Sequence, residues 1–265
     1  GDLIAVALIH PEHARQVITR AFEVARLEFE QGEDEVALYT AAASALADLH
    51  ALDAPHEPKG LGRTWPILDF DDLALNVNAS LIANWYPKFD PRMRMDDAGH
   101  QRWERDLEGL IERAAAFPRE LTLRDYHAEN LLWLPDRAGP QRVGVIDFQD
   151  GLVGHAAYDL VSLLQDARRD VSPDLSEAMI ARYCEGARAQ GAFDEVAFRR
   201  DYAILAAQRN AKILGIFARL IRRDNKPRYH DFLPRVEAHF RRDLERSALA
   251  PVKAFFLRHF PEAVR

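Results

Sequence analysis

Apolar positions recur at helical spacing along most of the chain. After Pro11, which suits a first helical position, Val17, Ala21, Val24, Leu27 and Phe29 form one stripe over residues 11–30, and Gly32 closes it. Val36, Tyr39, Ala43, Leu46 and Leu49 give a second stripe over 34–52. Pro55, Pro58, Gly60, Gly62 and Pro66 mark a loop. The pattern predicts helix over 69–86, ending near Pro87, then a charged loop over 87–97 and helix again over 98–117. The second half reads as helices over 156–169, 174–190, 195–222, 228–247 and 251–259. No repeat or low-complexity tract interrupts them.

The middle breaks this period. Leu131-Leu132-Trp133-Leu134 is a short apolar run, and Val143-Gly144-Val145-Ile146 is a second, rich in β-branched residues. Between them, 135–140 (Pro-Asp-Arg-Ala-Gly-Pro) is dense in turn residues, so the segment predicts a β-hairpin. The expected fold is mainly α, or α+β overall, with one central hairpin.

Unusual polarity flanks that hairpin. Arg124, Asp125, His127 and Asn130 precede it, and Asp147, Gln149 and Asp150 follow it. A hairpin folds its ends together, so Asn130 and Asp147 should be neighbours, with Asp125 curled over the same spot. Phosphoryl transfer needs such a set: a carboxylate and an amide oxygen for Mg²⁺, and a second carboxylate to orient the attacking hydroxyl. Asn130 and Asp147 fit as metal ligands and Asp125 as the base. Asp-x4-Asn alone is a weak signal, because both residues are common turn-formers. The hairpin, and a strand-end Asp 22 residues after the first, make it specific.

The string from Arg124-Asp125 through Asn130, the hairpin and Ile146-Asp147-Phe148 resembles the catalytic and metal loops of the aminoglycoside phosphotransferase family, which shares the protein-kinase-like fold. The stretches 125–134, 147–150, 158–164 and 208–220 are similar to the cell-wall-recycling kinases that phosphorylate the anomeric hydroxyl of N-acetylmuramate and N-acetylglucosamine. The resemblance covers most of the chain and is most specific over 123–170. It implies ATP and Mg²⁺ as cofactors and a sugar as acceptor. It also implies a brace on the catalytic loop from Asp159, with Arg124 beside it; a first-turn carboxylate favoured by the helix dipole is the plain alternative for Asp159. His127 and Asp150 are candidates for phosphate, substrate or second-metal contact, against a satisfied loop histidine and a surface carboxylate. Trp85 and Arg209 are candidate acceptor contacts, against a core ring and a solvated helix face. Gln149 stands where protein kinases carry the Gly of Asp-Phe-Gly, which argues against a large flip of this loop. Aminoglycoside or choline-type phosphotransfer, and a non-catalytic binding module on the same fold, are the alternatives.

Kinases of this type also carry a small β-rich lobe with a strand Lys and a phosphate-covering loop. Residues 1–52 hold no Gly-rich hairpin and no Lys, the first being Lys59, and the chain opens on Gly1. The reading is that residues 1–265 are the large, C-terminal lobe, with the small nucleotide-binding lobe absent.

Composition narrows the setting. The 265 residues are 48% hydrophobic and 29% charged, which excludes a disordered chain. Net charge is −7, unsuited to sequence-independent nucleic-acid binding. A single cysteine, Cys184, excludes an internal disulfide and reads as a packing residue. No export signal and no run of 18 apolar residues is present, so a cytoplasmic monomer without membrane or nucleic-acid partners is expected.

Overall fold

The computed structural model describes residues 34–54, 59–60, 63–64, 66–115 and 119–259. The helix expected over 11–30 lies outside the described residues, as does much of the segment on which the absent-lobe reading rests.

Helices dominate: α1 (Glu35–His50), α2 (Asp72–Phe89), α3 (Asp97–Ala115), α4 (Ala157–Leu164), α5 (Pro173–Gln190), α6 (Glu195–Arg222), α7 (Leu233–Leu244) and α8 (Ala250–His259). Short polar side chains start several of them. Asp34 accepts from the Val36 N–H (3.0 Å), Asp71 from Ala74 (2.9 Å), Ser172 from Leu175 (3.1 Å) and Asp194 from Ala197 (3.0 Å). Asp71 thus has a capping role, and its neighbour Asp69 pairs with Arg119 (3.3 Å).

At 28 residues, α6 is the axis of the body, about 42 Å long. Its residues 201–211 are all buried, because α2, α4 and α7 pack around it. The α2 crossing is close. An added Cβ at Gly215 would lie 2.3–2.6 Å from the backbone of Leu81 and Ile82. Elsewhere α1 packs on α5, and α3 on α8 through Trp103, Phe255 and Phe256. No helix among the described residues is long and apolar enough to cross a membrane.

Two antiparallel ladders sit on this body. The expected hairpin forms from β4 (Leu131–Trp133) and β5 (Val143–Val145), with Leu131 opposite Val145 and Trp133 opposite Val143. The second ladder pairs β3 (Arg119–Thr122) with β6 (Leu152–His155), in register from Arg119↔His155 to Thr122↔Leu152. The sequence reading missed it, because each strand is four residues long and carries Arg, Glu, Gly or His among its few apolar positions. Short β1 (Lys59–Gly60) and β2 (Arg63–Thr64) also pair, inside the expected loop.

Other boundaries differ for local reasons. Helix α2 runs through Pro87 to Phe89, since a Pro in the last turn removes only one late hydrogen bond, and the Asp90 N–H still reaches the Tyr86 carbonyl (2.8 Å). Helix α4 stops at Leu164 rather than 169. There the side chains of Gln165 and Asp166 turn to partners of their own: Asp243 for Gln165 (2.9 Å) and the Arg168 N–H for Asp166 (2.9 Å). Residues 227–232 form a 3₁₀ turn before α7.

The α2–α6 crossing is testable. Gly215→Ala should lose about 3 kcal/mol in chemical denaturation, because the methyl meets backbone that has no rotamer to yield. A loss under about 1 kcal/mol would mean that the helices do not cross at this distance.

Candidate active site

The two ladders are nested. The chain leaves the outer ladder at Thr122, runs through 123–130, makes the inner hairpin, and returns through 146–151 to Leu152, the partner of Thr122. Both polar loops therefore hang between the same two rungs. The Ile146 N–H bonds the Asn130 carbonyl (3.0 Å) and closes the inner ladder, so Asp147 is the first residue past it.

The first loop is a chain of tight turns. Asp125 N–H bonds Leu123 O (2.9 Å), His127 N–H bonds Asp125 O (3.0 Å), and Asn130 N–H bonds His127 O (2.8 Å). Arg124 adopts a left-handed conformation (φ 70°), which costs a non-glycine residue energy unless its surroundings enforce it. The Asp159 carboxylate does so. Fully buried at the start of α4, it accepts from the Leu123 N–H (2.6 Å) and the Arg124 N–H (2.7 Å). Behind it stands His50 (Nε2–Oδ2 3.6 Å), whose Nδ1 meets the Tyr183 hydroxyl (2.8 Å). Tyr126 pins the loop to α1 by donating to the Ala42 carbonyl (2.9 Å). The Arg124 guanidinium reaches the Asp150 carbonyl (3.3 Å) and ties the first loop to the second.

Asp125, Asp147 and Asp150 are exposed and Asn130 is buried. The Asn130 amide nitrogen donates to the Asp125 carbonyl (2.9 Å), which leaves its Oδ1 as the free end. Asp147 is also left-handed (φ 59°), and its Oδ1 accepts from Gln149. This donor set fits Mg²⁺: a carboxylate and an amide oxygen, both hard, with Asp150 nearby in the chain. No cluster of three or more His, Cys, Asp or Glu suited to a metal occurs among the described residues. Mg²⁺ does not require one, since it is usually held by one or two carboxylates, with phosphates and water supplying the rest.

Behind the loop is a buried polar cluster. Burial lowers the His127 pKa, and Arg168 and Arg209 push the same way against the carboxylates Asp166 and Asp125. The Arg168 guanidinium approaches His127 Nε2 (3.5 Å), Glu129 (3.0 Å) and Asp166 (3.8 Å). A donor at Nε2 assigns the His127 proton to Nδ1, which has no partner among the described residues. Arg209, on α6, donates through Nη2 to Ser162 on α4 (2.8 Å). Next to it on α6, Asn210 donates to Gln165 (2.6 Å) and Asp243 (2.9 Å). Burial pushes the Asp243 carboxyl up to about 7, and burial together with Arg242, Arg235 and Arg209 pushes His239 down to about 4.

The structure thus brings Asp125, Asn130, Asp147, Asp150, Arg124, Asp159 and His127 to one pair of loops, with Arg209 behind them. It does not bring Trp85 there. That ring, half-buried on α2, lies under Lys88 (3.9 Å) and near Arg223 (5.9 Å), and Arg223 is about 21 Å along the helix axis from Arg209. The sequence reading missed Ser162, Asp166 and Asp243. The signal that singled out Arg209, a polar residue inside an apolar helix, applies equally to Ser162. A cavity of about 1050 Å³ lies behind the Asp159 brace, lined by His50, Glu120, Tyr183 and Asp201 rather than by the loops.

Nested ladders with paired acidic loops on a helical body define the large lobe of kinase-like phosphotransferases. A choline/ethanolamine kinase family protein from Mesorhizobium loti shares this fold (TM-score 0.51, 15% identity, covering 82% of this chain and 64% of that one). The chain belongs to the phosphotransferase enzyme family, whose profile matches residues 7–198. It is 43% identical over 236 residues to an N-acetylmuramate/N-acetylglucosamine kinase of Caulobacter vibrioides, covering 89% of this chain and 64% of that protein. It is 33% identical over 192 residues to the Pseudomonas putida protein of that name, covering 71% and 55%. The chain therefore spans somewhat under two thirds of the length of the curated relatives it matches.

Two predictions follow from the geometry. Asp159→Asn turns one acceptor oxygen into a donor facing a backbone N–H; it should cost about 3 kcal/mol and speed amide exchange at Leu123 and Arg124. Wild-type protection at both amides would show that something else holds the loop. His239, with its pKa lowered, stays neutral in the folded chain while the unfolded chain takes up its proton. Its share of stability is therefore complete above about pH 6.5 and lost as pH falls toward 4. Thermal melts of His239→Gln should lose less between those limits than the wild type, and parallel profiles would refute the assignment.

Proposed function

We propose that this chain is the catalytic and acceptor-binding lobe of an ATP-dependent amino-sugar kinase, acting on the anomeric hydroxyl of N-acetylmuramate or N-acetylglucosamine. The observation that carries this is the suspension of Asp125, Asn130 and Asp147 between two rungs under the Asp159 brace. The 43% identity to a kinase named for those two sugars supports the choice of acceptor.

Asp125, exposed at the head of the first loop, accepts or orients the proton of the attacking hydroxyl. The hydroxyl oxygen bonds the γ-phosphorus, the bond from that phosphorus to the bridging oxygen breaks, and ADP leaves with the electron pair. Asn130 Oδ1 and the Asp147 carboxylate are the groups that would hold Mg²⁺, which when bound neutralises charge on the phosphates. His127 and Asp150 stand close enough in the chain to touch phosphate or acceptor. A small nucleotide-binding lobe supplies the other half of the ATP cleft. A cytoplasmic location is part of this proposal, in keeping with the use of ATP. Its working unit in this proposal is the monomer.

The test is ³¹P NMR detection of sugar 1-phosphate from Mg·ATP and each sugar, with a small lobe supplied to the chain. Asp125→Ala should lower turnover by at least about 10²-fold, the usual scale for a lost catalytic acid or base. No turnover on either sugar refutes the acceptor, and near-full activity in the variant refutes the base.

A further inference from the structure

Arg209 is 5% exposed, and no carboxylate lies within ion-pair distance of it among the described residues. Nη2 is engaged with the neutral Ser162 hydroxyl, and Nη1 is buried with no partner among the described residues. A guanidinium cannot shed its proton to escape such a site, so an uncompensated buried charge persists. Its neighbours do not cancel it. Asp166 already faces Arg168, and Asp243 is tied to Gln165 and Asn210.

Among the described residues, His127 Nδ1 and Asp166 Oδ2 also lack partners, as do Gln208 Oε1, Asn210 Oδ1 and His239 Nε2; of these, only His127 and Asp166 are linked electrostatically with Arg209 on the loop side. Arg209 and Asp166 both act electrostatically on His127, as does Asp125 at the loop head. On the loop side the unpartnered atoms are therefore two donors, one of them cationic, and one carboxylate oxygen. A free inorganic anion would satisfy the donors but meet Asp166 unfavourably. A polyol that carries its own carboxylate satisfies all three, because its carboxylate takes the donors and a hydroxyl donates to Asp166.

We infer that Arg209, with His127 Nδ1–H, receives the carboxylate of an acidic amino sugar, and that Asp166 receives one of its hydroxyls. This rests on the amino-sugar reading above and adds that the site discriminates by charge. Arg209 is then the residue that favours a carboxylate-bearing acceptor over its neutral counterpart.

Calorimetric titration of the chain with N-acetylmuramate and with N-acetylglucosamine tests it without nucleotide. The wild type should bind the carboxylate-bearing sugar more tightly. Arg209→Gln should reduce the ratio of the two affinities by about tenfold or more, the scale of a charge-assisted hydrogen bond. Arg209→Lys should restore part of that ratio. Circular dichroism melts, together with residual binding of the neutral sugar, report that the variants fold. An equal effect on both sugars, or none on the ratio, overturns the carboxylate assignment while leaving the kinase reading intact. Failure of the folded wild type to bind either sugar overturns both.

Discussion

One buried carboxylate holds the candidate site together. Among the described residues no Lys or Arg pairs with Asp159; it is stabilised by two backbone N–H groups of the loop it organises, with His50 behind. The dependence runs both ways. An unpaired carboxylate at that depth would be costly, so the loop must come to it. A left-handed Arg124 would be costly, so the loop needs the carboxylate to stay bent. Because the bend at Arg124 precedes Asp125 by one residue, it sets where the exposed acid stands. The nested ladders then fix the other side, since Asp147 follows the last inner rung and 151 precedes the outer one. The exposed carboxylates Asp125 and Asp147 are thus carried on backbone that is itself clamped.

The helical body reinforces this from below. Helix α4 carries Asp159 at its start and Ser162 one turn later, both fully buried; Asp159 reaches the loop and Ser162 reaches α6. Helix α6 answers with Gln208, Arg209 and Asn210, all buried. Such a polar layer inside a bundle costs stability unless each group is partnered. Most are: Gln208 donates to Leu75 O (2.8 Å), and Asn210 bridges Gln165 and Asp243. Among the described residues the atoms left without partners are Gln208 Oε1, Arg209 Nη1 and Asn210 Oδ1 on α6, His239 Nε2 on α7, and His127 Nδ1 and Asp166 Oδ2 where the loop meets the bundle.

Much of this was legible in the sequence. The period of apolar residues located the helices, with α6 matching at both ends, because long regular stripes average out local exceptions. The hairpin was legible because β-branched runs flank a dense turn. The outer ladder was not, because its four-residue strands are too short to show alternation, and their pairing spans about thirty residues of intervening loop and hairpin. The loop residues Asp125, Asn130 and Asp147 were legible through their spacing. That Asp159 would act through backbone N–H groups was not, since a first-turn Asp looks the same whether it caps its own helix or reaches a neighbouring loop. Trp85 shows the opposite limit. An aromatic in the right stretch of sequence need not face the site, and here it faces Lys88 and the far end of α6.

The charge economy of the interior explains why the unfilled positions matter. Proton exchange gives most buried groups a way out. Asp243, raised to about 7, can hold a proton near neutral pH, and His239, lowered to about 4, can stay without one. Arg168 reaches the surface and shares Glu129. Arg209 has neither escape. A guanidinium placed among neutral groups and left half-bonded is stable only where the rest of the fold, or a ligand, supplies the missing acceptor. The fold spends Ser162 on one amino group and leaves the other bare. Asp166 and His127 also keep one atom each without a partner among the described residues, and His127 lies within the loop that presents Asp125. In the proposal above, the acceptor supplies the partners that these positions lack within the described residues.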